Sequence, residues 1–182
     1  MNNHIVKSYD EEQRGLLDEL IRMGQMSVSQ LEAALDVVER RDDKAAERVI
    51  GNDDAIDALE QQVNHDVIRL IRRGPLAGDL RVILAALRVA SDIERIGDLA
   101  ANIAKRSMAL NLAPPLPHTR GLDALGRMAA RQVRDVLDAY VQHIASNVLS
   151  TDSPRFFGFI PAAPTKAALL FDTVVSIASL QG

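Results

Sequence analysis

The sequence predicts an all-α protein: an up-down three-helix bundle, then an incomplete second bundle represented by one helix and a divergent tail. Three observations predict this. The 182 residues are 47% hydrophobic but only 3% aromatic, without Trp, and draw on Ala, Leu, Ile, Val, Glu and Arg, which favour helices over sheets. Apolar residues recur at helical spacing throughout the first 110 positions. A proline-rich break then precedes a second copy of the first helix's pattern.

The first helix is expected from about Tyr9 to Arg41, with Leu16, Leu20, Met23, Val28, Leu31, Leu35 and Val38 as its stripe. Asp42 and Asp43 offer an N-cap for a second helix, whose buried face is Val49, Ile56, Leu59, Val63, Val67, Leu70 and Ile71. Gly74-Pro75 ends that helix, because Gly leaves it at low cost and Pro cannot continue it. The third helix starts near Gly78-Asp79, with Asp79 at or near its N-cap, and runs to about Leu110. Short connections between long helices make neighbours antiparallel, so residues 1–110 form one bundle.

Residues 111–119 are a linker, since Pro114, Pro115 and Pro117 forbid helix. The span 120–148 begins the pattern again. Gly126-Arg127-Met128, Val133 and Val136-Leu137-Asp138 repeat Gly24-Gln25-Met26, Leu31 and Ala34-Leu35-Asp36 at an offset of 102. An internal duplication predicts a second three-helix bundle, yet beyond Val141 the sequence changes character. All four Phe fall between Phe156 and Phe171, three of seven Pro between Pro154 and Pro164, and no Glu follows Glu94. Residues 149–182 therefore read as a divergent tail foreign to the fold, as a frameshift or truncation would leave, with disorder as one outcome. The alternative is an apolar tail that packs back on the bundle.

The composition also excludes. Without Cys there are no disulfides or thiolate metal sites, and the net charge of −4 argues against a dedicated nucleic-acid binder. No signal peptide and no 18-residue apolar run occur, so a cytoplasmic protein without a transmembrane segment is expected. His4, His65, His118 and His143 lack ligand spacing, and His65 alone is in reach of the acidic face. No Ser-His-Asp set, Cys nucleophile or phosphate loop can be assembled, so the chain is not expected to be an enzyme.

The chemistry lies in two acidic ladders. Glu94 and Asp98 are four apart on one helix face, with Asn102 a turn further, and like charges at that spacing repel. Asp53, Asp57 and Glu60 make a second ladder on the preceding helix. Facing each other, the two would offer oxygen ligands to a hard metal ion. Taken alone, Glu94 and Asp98 read as a solvated face screened by Arg88 and Arg95; the second ladder on the preceding helix favours a metal site. Arg95 is expected to pair with a carboxylate and orient it, and Gly97 between the acids implies a close neighbour. Asp79 and Arg81 read first as a cap and an ion pair. The sharper reading joins Arg81 to Arg69, Arg72 and Arg73 as a partner surface.

Pro75-Leu-Ala-Gly-Asp79-Leu-Arg81 followed by Ser91-Asp-Ile-Glu94-Arg-Ile-Gly-Asp98, with Asp53, Ile56-Asp57, Leu59-Glu60 upstream, resembles the PhoU family of phosphate-signalling accessory proteins. The resemblance spans residues from about 9 to 141. It implies a PhoU-like pair of three-helix bundles with acidic clusters for iron, zinc, manganese or magnesium. It also implies a cytoplasmic adaptor of the phosphate ABC transporter ATPase and its sensor histidine kinase, restraining phosphate-starvation signalling. The family's second set of acidic motifs has no match here, so an apolar face would be left over, with instability, aggregation or a homodimer as its consequences. The competing readings are a carboxylate-bridged di-metal enzyme, disfavoured by the lack of any Glu-x-x-His, and a non-functional remnant of the regulator.

Overall fold

A computed structural model describes residues 2–74, 77–114 and 119–149. Five helices follow one another: α1 (Asn2–Arg40), α2 (Asp43–Gly51), α3 (Asp53–Ile71), α4 (Ala77–Asn111) and α5 (Thr119–Leu149). The described residues are thus helical throughout, joined by short turns. Of the expected tail, residues 149–182, Leu149 is the last residue of α5 and the remainder lies outside the described residues.

Three boundaries differ from the sequence reading. The first helix begins at Asn2 rather than Tyr9. The expected second helix is two, separated by Asn52 alone, which closes α2 and opens α3 with no side-chain cap. Asp79 is not the cap of α4: the helix starts at Ala77, which leaves Asp79 inside the first turn. Asp42, by contrast, caps α2 as expected, its carboxylate accepting from the Ala45 N–H at 3.0 Å.

The helices enclose a core in two blocks. One joins Leu16, Leu20 and Met23 of α1 to Ile56, Val63, Val67 and Leu70 of α3 and to Ile83, Ala86, Ala90 and Ile93 of α4. The other joins Leu31, Ala34 and Val37 to Ala46 and Val49 of α2, Ala100 and Ala104 of α4, and Ala130 of α5. The change from large to small residues lets the helices draw closer at the second block. Hydrogen bonds fix the direction of packing. Ser27 Oγ donates to Ile93 O at 3.0 Å and Gln30 Nε2 to Gly97 O at 3.3 Å, so α1 and α4 run parallel. Contacts from Glu12 to Arg73 and from Gln30 to Asp53 make α3 antiparallel to α1, completing the up-down-up order.

One residue closes this unit. Arg41 carries the only positive φ outside glycine among the described residues (55°), and its N–H donates to Val37 O to end α1. Its guanidinium Nη2 meets the carbonyls of Leu110, Asn111 and Ala113 at 3.2, 3.0 and 2.6 Å, where α4 leaves its last carbonyls without intrahelical partners. The left-handed conformation, disfavoured for a residue with a Cβ by about 1–2 kcal/mol, is offset by charge-assisted bonds at a helix C-terminus.

α5 packs antiparallel on α1, and the sequence repeat governs how. A Cβ on Gly24 would meet Leu137 Cδ1 at 2.6 Å, and one on Gly126 would overlap the Leu35 side chain. Gly126 and Leu137 are the repeat equivalents of Gly24 and Leu35. The helices therefore cross about a pseudo-twofold axis, each glycine receiving the other copy's leucine. Near that axis Arg134 Nη2 donates to Glu32 Oε1 at 2.7 Å, and these two positions are themselves equivalent.

Candidate functional site: two facing acidic ladders

Asp53, Asp57 and Glu60 follow one another along α3, and Glu94 and Asp98 along α4, on the sides where these helices adjoin. All are part-exposed except Asp98, which is exposed. Glu94 shows the consequence. Its carboxyl is pushed up to about 7, first by desolvation, then by the charges of Asp98, Glu60 and Asp57 and by a hydrogen bond to Asp98. Asp53 is raised as well, chiefly by burial, with Asp98 and Asp57 adding repulsion while the Gln30 amide, 3.1 Å away, and Lys105 oppose it. Five carboxyl groups from two helices thus share one electrostatic neighbourhood.

Among the described residues, however, no group of three or more Asp, Glu or His side chains is arranged to hold a cation. The donor set is all oxygen, which suits a hard ion, and a cation would relieve the repulsion at Glu94. Chelation would require side-chain rotation toward a common point, which part-exposed carboxylates can make.

Gly97 lies between the α4 acids because there is no room for more. A Cβ there would approach Ile56 Cδ1 to 2.9 Å and Asp53 Oδ1 to 3.4 Å. The close neighbour implied by the sequence is therefore the start of α3. Gln30 of α1, 4% exposed, bridges the same place by donating to both Asp53 Oδ1 and Gly97 O. Asn102 and Arg95 are both exposed.

The other candidates lie elsewhere. Arg69 and Arg73 are engaged by Glu12, Arg73 Nη1 reaching its Oε1 at 2.6 Å, and Arg69 Nη2 also meets Asp66 Oδ1 at 3.0 Å. Two arginines of the alternative partner surface are thus tied into an ion-pair network, Arg69 and Arg73 joining α3 to α1, while Arg72 and Arg81 are exposed. His65 does not join the acidic ladders, since its Nδ1 stands 3.5 Å from Asp66.

Sequence reasoning missed the centre of this network. Asp66 is only 5% exposed, in the stripe formed by Val63, Val67 and Leu70. It accepts from Gln62 Nε2 at 3.0 Å and its charge acts on Glu19 of α1. Glu19 is raised above its ordinary range by burial first and then by the Asp66 charge, with Arg69 and Arg22 opposing. The only signal in the sequence was a charged residue on an apolar stripe.

No described helix is long and apolar enough to cross a membrane. Residues 20–107, which contain both acidic ladders, match the PhoU domain family. The phosphate-specific transport system accessory protein PhoU homolog of Xylella fastidiosa is 61% identical over 155 residues, covering 84% of this chain and 65% of that protein. The homolog named likewise in Caulobacter vibrioides is 39% identical over 142 residues, 77% of this chain and 62% of its own. The phosphate-specific transport system accessory protein PhoU of Serratia marcescens is 30% identical over 143 residues, 78% and 59% respectively. The chain spans slightly less than two thirds of the length of these relatives. The matched domain, the all-helical bundle and the identity to proteins of that name agree: this chain belongs to the PhoU family.

Proposed function

We propose that this chain is a non-enzymatic accessory regulator of phosphate transport, which holds a hard metal ion between α3 and α4 and presents the bundle to protein partners. The observation that carries the reading is the electrostatic coupling of Asp53, Asp57, Glu60, Glu94 and Asp98 across α3 and α4, inside the segment that matches the PhoU domain. The names of the relatives support phosphate transport as the process. In this reading the partners are the ATPase subunit of a phosphate ABC transporter and a phosphate-sensing histidine kinase, both at the cytoplasmic face, and phosphate-starvation signalling is restrained. Self-association into a homodimer belongs to the same proposal.

The chain's residues have distinct parts in it. Glu94 and Asp98 would supply the α4 ligands and Asp53, Asp57 and Glu60 those of α3, while Gln30 orients Asp53 and Gly97 keeps the two helices close. A bound divalent ion would supply charge neutralisation, and iron, zinc, manganese and magnesium are all compatible with carboxylate oxygens. Asn102 and Arg95 flank the α4 ligands, and Asp79 and Arg81 at the start of α4 belong to a partner surface.

Metal content of the purified chain tests the site. Stoichiometric manganese or iron retained after dialysis, and lost in Glu94→Ala/Asp98→Ala, is the expected result; equal metal in both proteins rejects it. Co-purification with the transporter ATPase or the kinase tests the role, and recovery of neither rejects it.

A further inference from the structure

We propose that a row of arginines along the outer side of α4, with Leu84 set into it, is a docking surface for an acidic amphipathic helix of a protein partner. The proposal rests on the reading above, in which the bundle is presented to protein partners, and it names the side chains that receive one and the chemistry they select.

Helix geometry defines the row. Ile83, Ala90, Gly97 and Ala104 recur every seven residues and are buried against the other helices. Arg81, Arg88 and Arg95 each precede one of the first three by two residues, a rotation of about 200° that turns them away from the core. All three are exposed, as is Arg106 further along the same side. They stand two turns apart, about 10.5 Å from one to the next. Other arginines hold the bundle together: Arg69 and Arg73 pair with Glu12, Arg127 with Asp36 and Arg134 with Glu32. Arg88, in the middle of the row, belongs to no ion pair among the described residues.

The surroundings say what fits. Leu84 lies one turn from both Arg81 and Arg88 and is 48% exposed. Ile68 of α3, 54% exposed, is nearly level with it, since Ile56 meets Gly97 and the two helices run antiparallel. Apolar side chains flanked by arginines match a helix with one apolar stripe and carboxylates beside it. Helices that pack at a low angle stay in contact every seven residues, so Asp or Glu at that interval on the partner would meet Arg81, Arg88 and Arg95 in turn. A lipid surface or a nucleic acid fits less well. Its phosphates gain nothing from Leu84 or Ile68, and a broad anionic surface would press on Asp92 within the row and on the Glu94–Asp98 ladder beside it. Residues 150–182 do not supply the occupant either, for their only acids are Asp152 and Asp172, twenty apart.

Fluorescence anisotropy of the full chain with a labelled probe peptide tests this. The peptide has about three heptads, with Leu on one stripe and Glu every seventh residue beside it, and a second peptide carries Lys in place of Glu. The wild-type chain should bind the Glu peptide saturably, more weakly as salt rises, and prefer it to the Lys peptide. Arg81→Glu with Arg88→Glu should weaken the Glu peptide by at least about 10-fold and reverse the preference. Leu84→Ser should weaken the Glu peptide without reversing it. These side chains are exposed, so helical circular dichroism should be unchanged. No saturable binding by the wild type, or a preference that charge reversal leaves in place, overturns the surface. Phosphatidylglycerol vesicles or a single-stranded oligonucleotide bound as tightly as the Glu peptide, with no loss in Leu84→Ser, overturns the helix as occupant. The reading above fails separately: it is rejected when neither the ATPase nor the kinase co-purifies with the wild type, whereas co-purification undiminished by the charge reversal rejects this surface alone. If the reversed variant loses its helicity, Arg88→Ala with Leu84→Ser decides by the same peptides.

Discussion

α1 and α5 are two copies of one pattern in opposite circumstances. Met23 is fully buried among α3 and α4, while its equivalent Leu125 is 43% exposed; Ala34 and Val136 differ in the same way, at 0 and 60%. The glycine–leucine face, however, is satisfied in both helices, because each supplies it to the other. The difference teaches that an apolar seam states a demand of the chain without saying who meets it. Periodicity identifies which residues need cover, and only the packing of the other elements identifies the cover.

Substitutions can break that comparison, beginning with its largest contrast. Met23→Ala empties a closed core position and should destabilise the fold by about 2–5 kcal/mol. Leu125→Ala in the monomer should stay within about 0.5 kcal/mol. Chemical denaturation of both variants at low protein concentration gives the ratio, and equal losses would mean that α5 is covered as fully as α1. The shared face comes next. Gly24→Ala and Gly126→Ala each force a leucine out of its place, at about 1–3 kcal/mol apiece, and the pseudo-twofold crossing predicts similar losses for the two.

A smaller effect concerns the unequal parts of the α1 surface. Glu19 holds its proton to higher pH in the folded chain than in the unfolded one. Between those two values the unfolded chain releases a proton that the folded chain retains, so stability falls as pH rises above the ordinary carboxylate range. Glu19→Gln removes the titration. Its Tm should exceed that of the wild type by a few degrees at about pH 8 and match it near pH 4; a constant difference would place the titration elsewhere. The smallest effect belongs to the Glu32–Arg134 pair, whose side chains are 41 and 47% exposed. Arg134→Ala should cost about 0.2–1 kcal/mol, and less at high salt.

Much of the first bundle was legible because helix geometry turns spacing into position. Glu94 and Asp98 share a face at a spacing of four whatever surrounds them, and the buried stripes of α1 and α4 follow from the same period. The break at Asn52 was hidden by that very regularity. Val49 and Ile56 are seven residues apart and stay in phase, so the apolar pattern runs through a site where Gly51-Asn52 interrupts the helix. The Glu19–Asp66 pair was illegible for another reason. It depends on the register of α3 against α1, a long-range quantity that no local window contains. The fate of the arginines was similar, since Glu12 lies more than fifty residues from Arg69 and Arg73 in the chain. For the acidic ladders, the sequence specified that they exist and share helix faces, while how near they approach depends on Gly97 meeting Ile56.

Arg41 joins events far apart in the chain. A single side chain anchors the place where α4 gives way to the segment leading to α5, and its own backbone marks where α1 turns into α2. The exit of the bundle is thereby tethered to its first corner, so the path into the second repeat starts from a fixed point beside α1. Neutral replacement at this position would loosen the aim of α5 while leaving the core intact, and the two repeats would lose their alignment before either lost its helices.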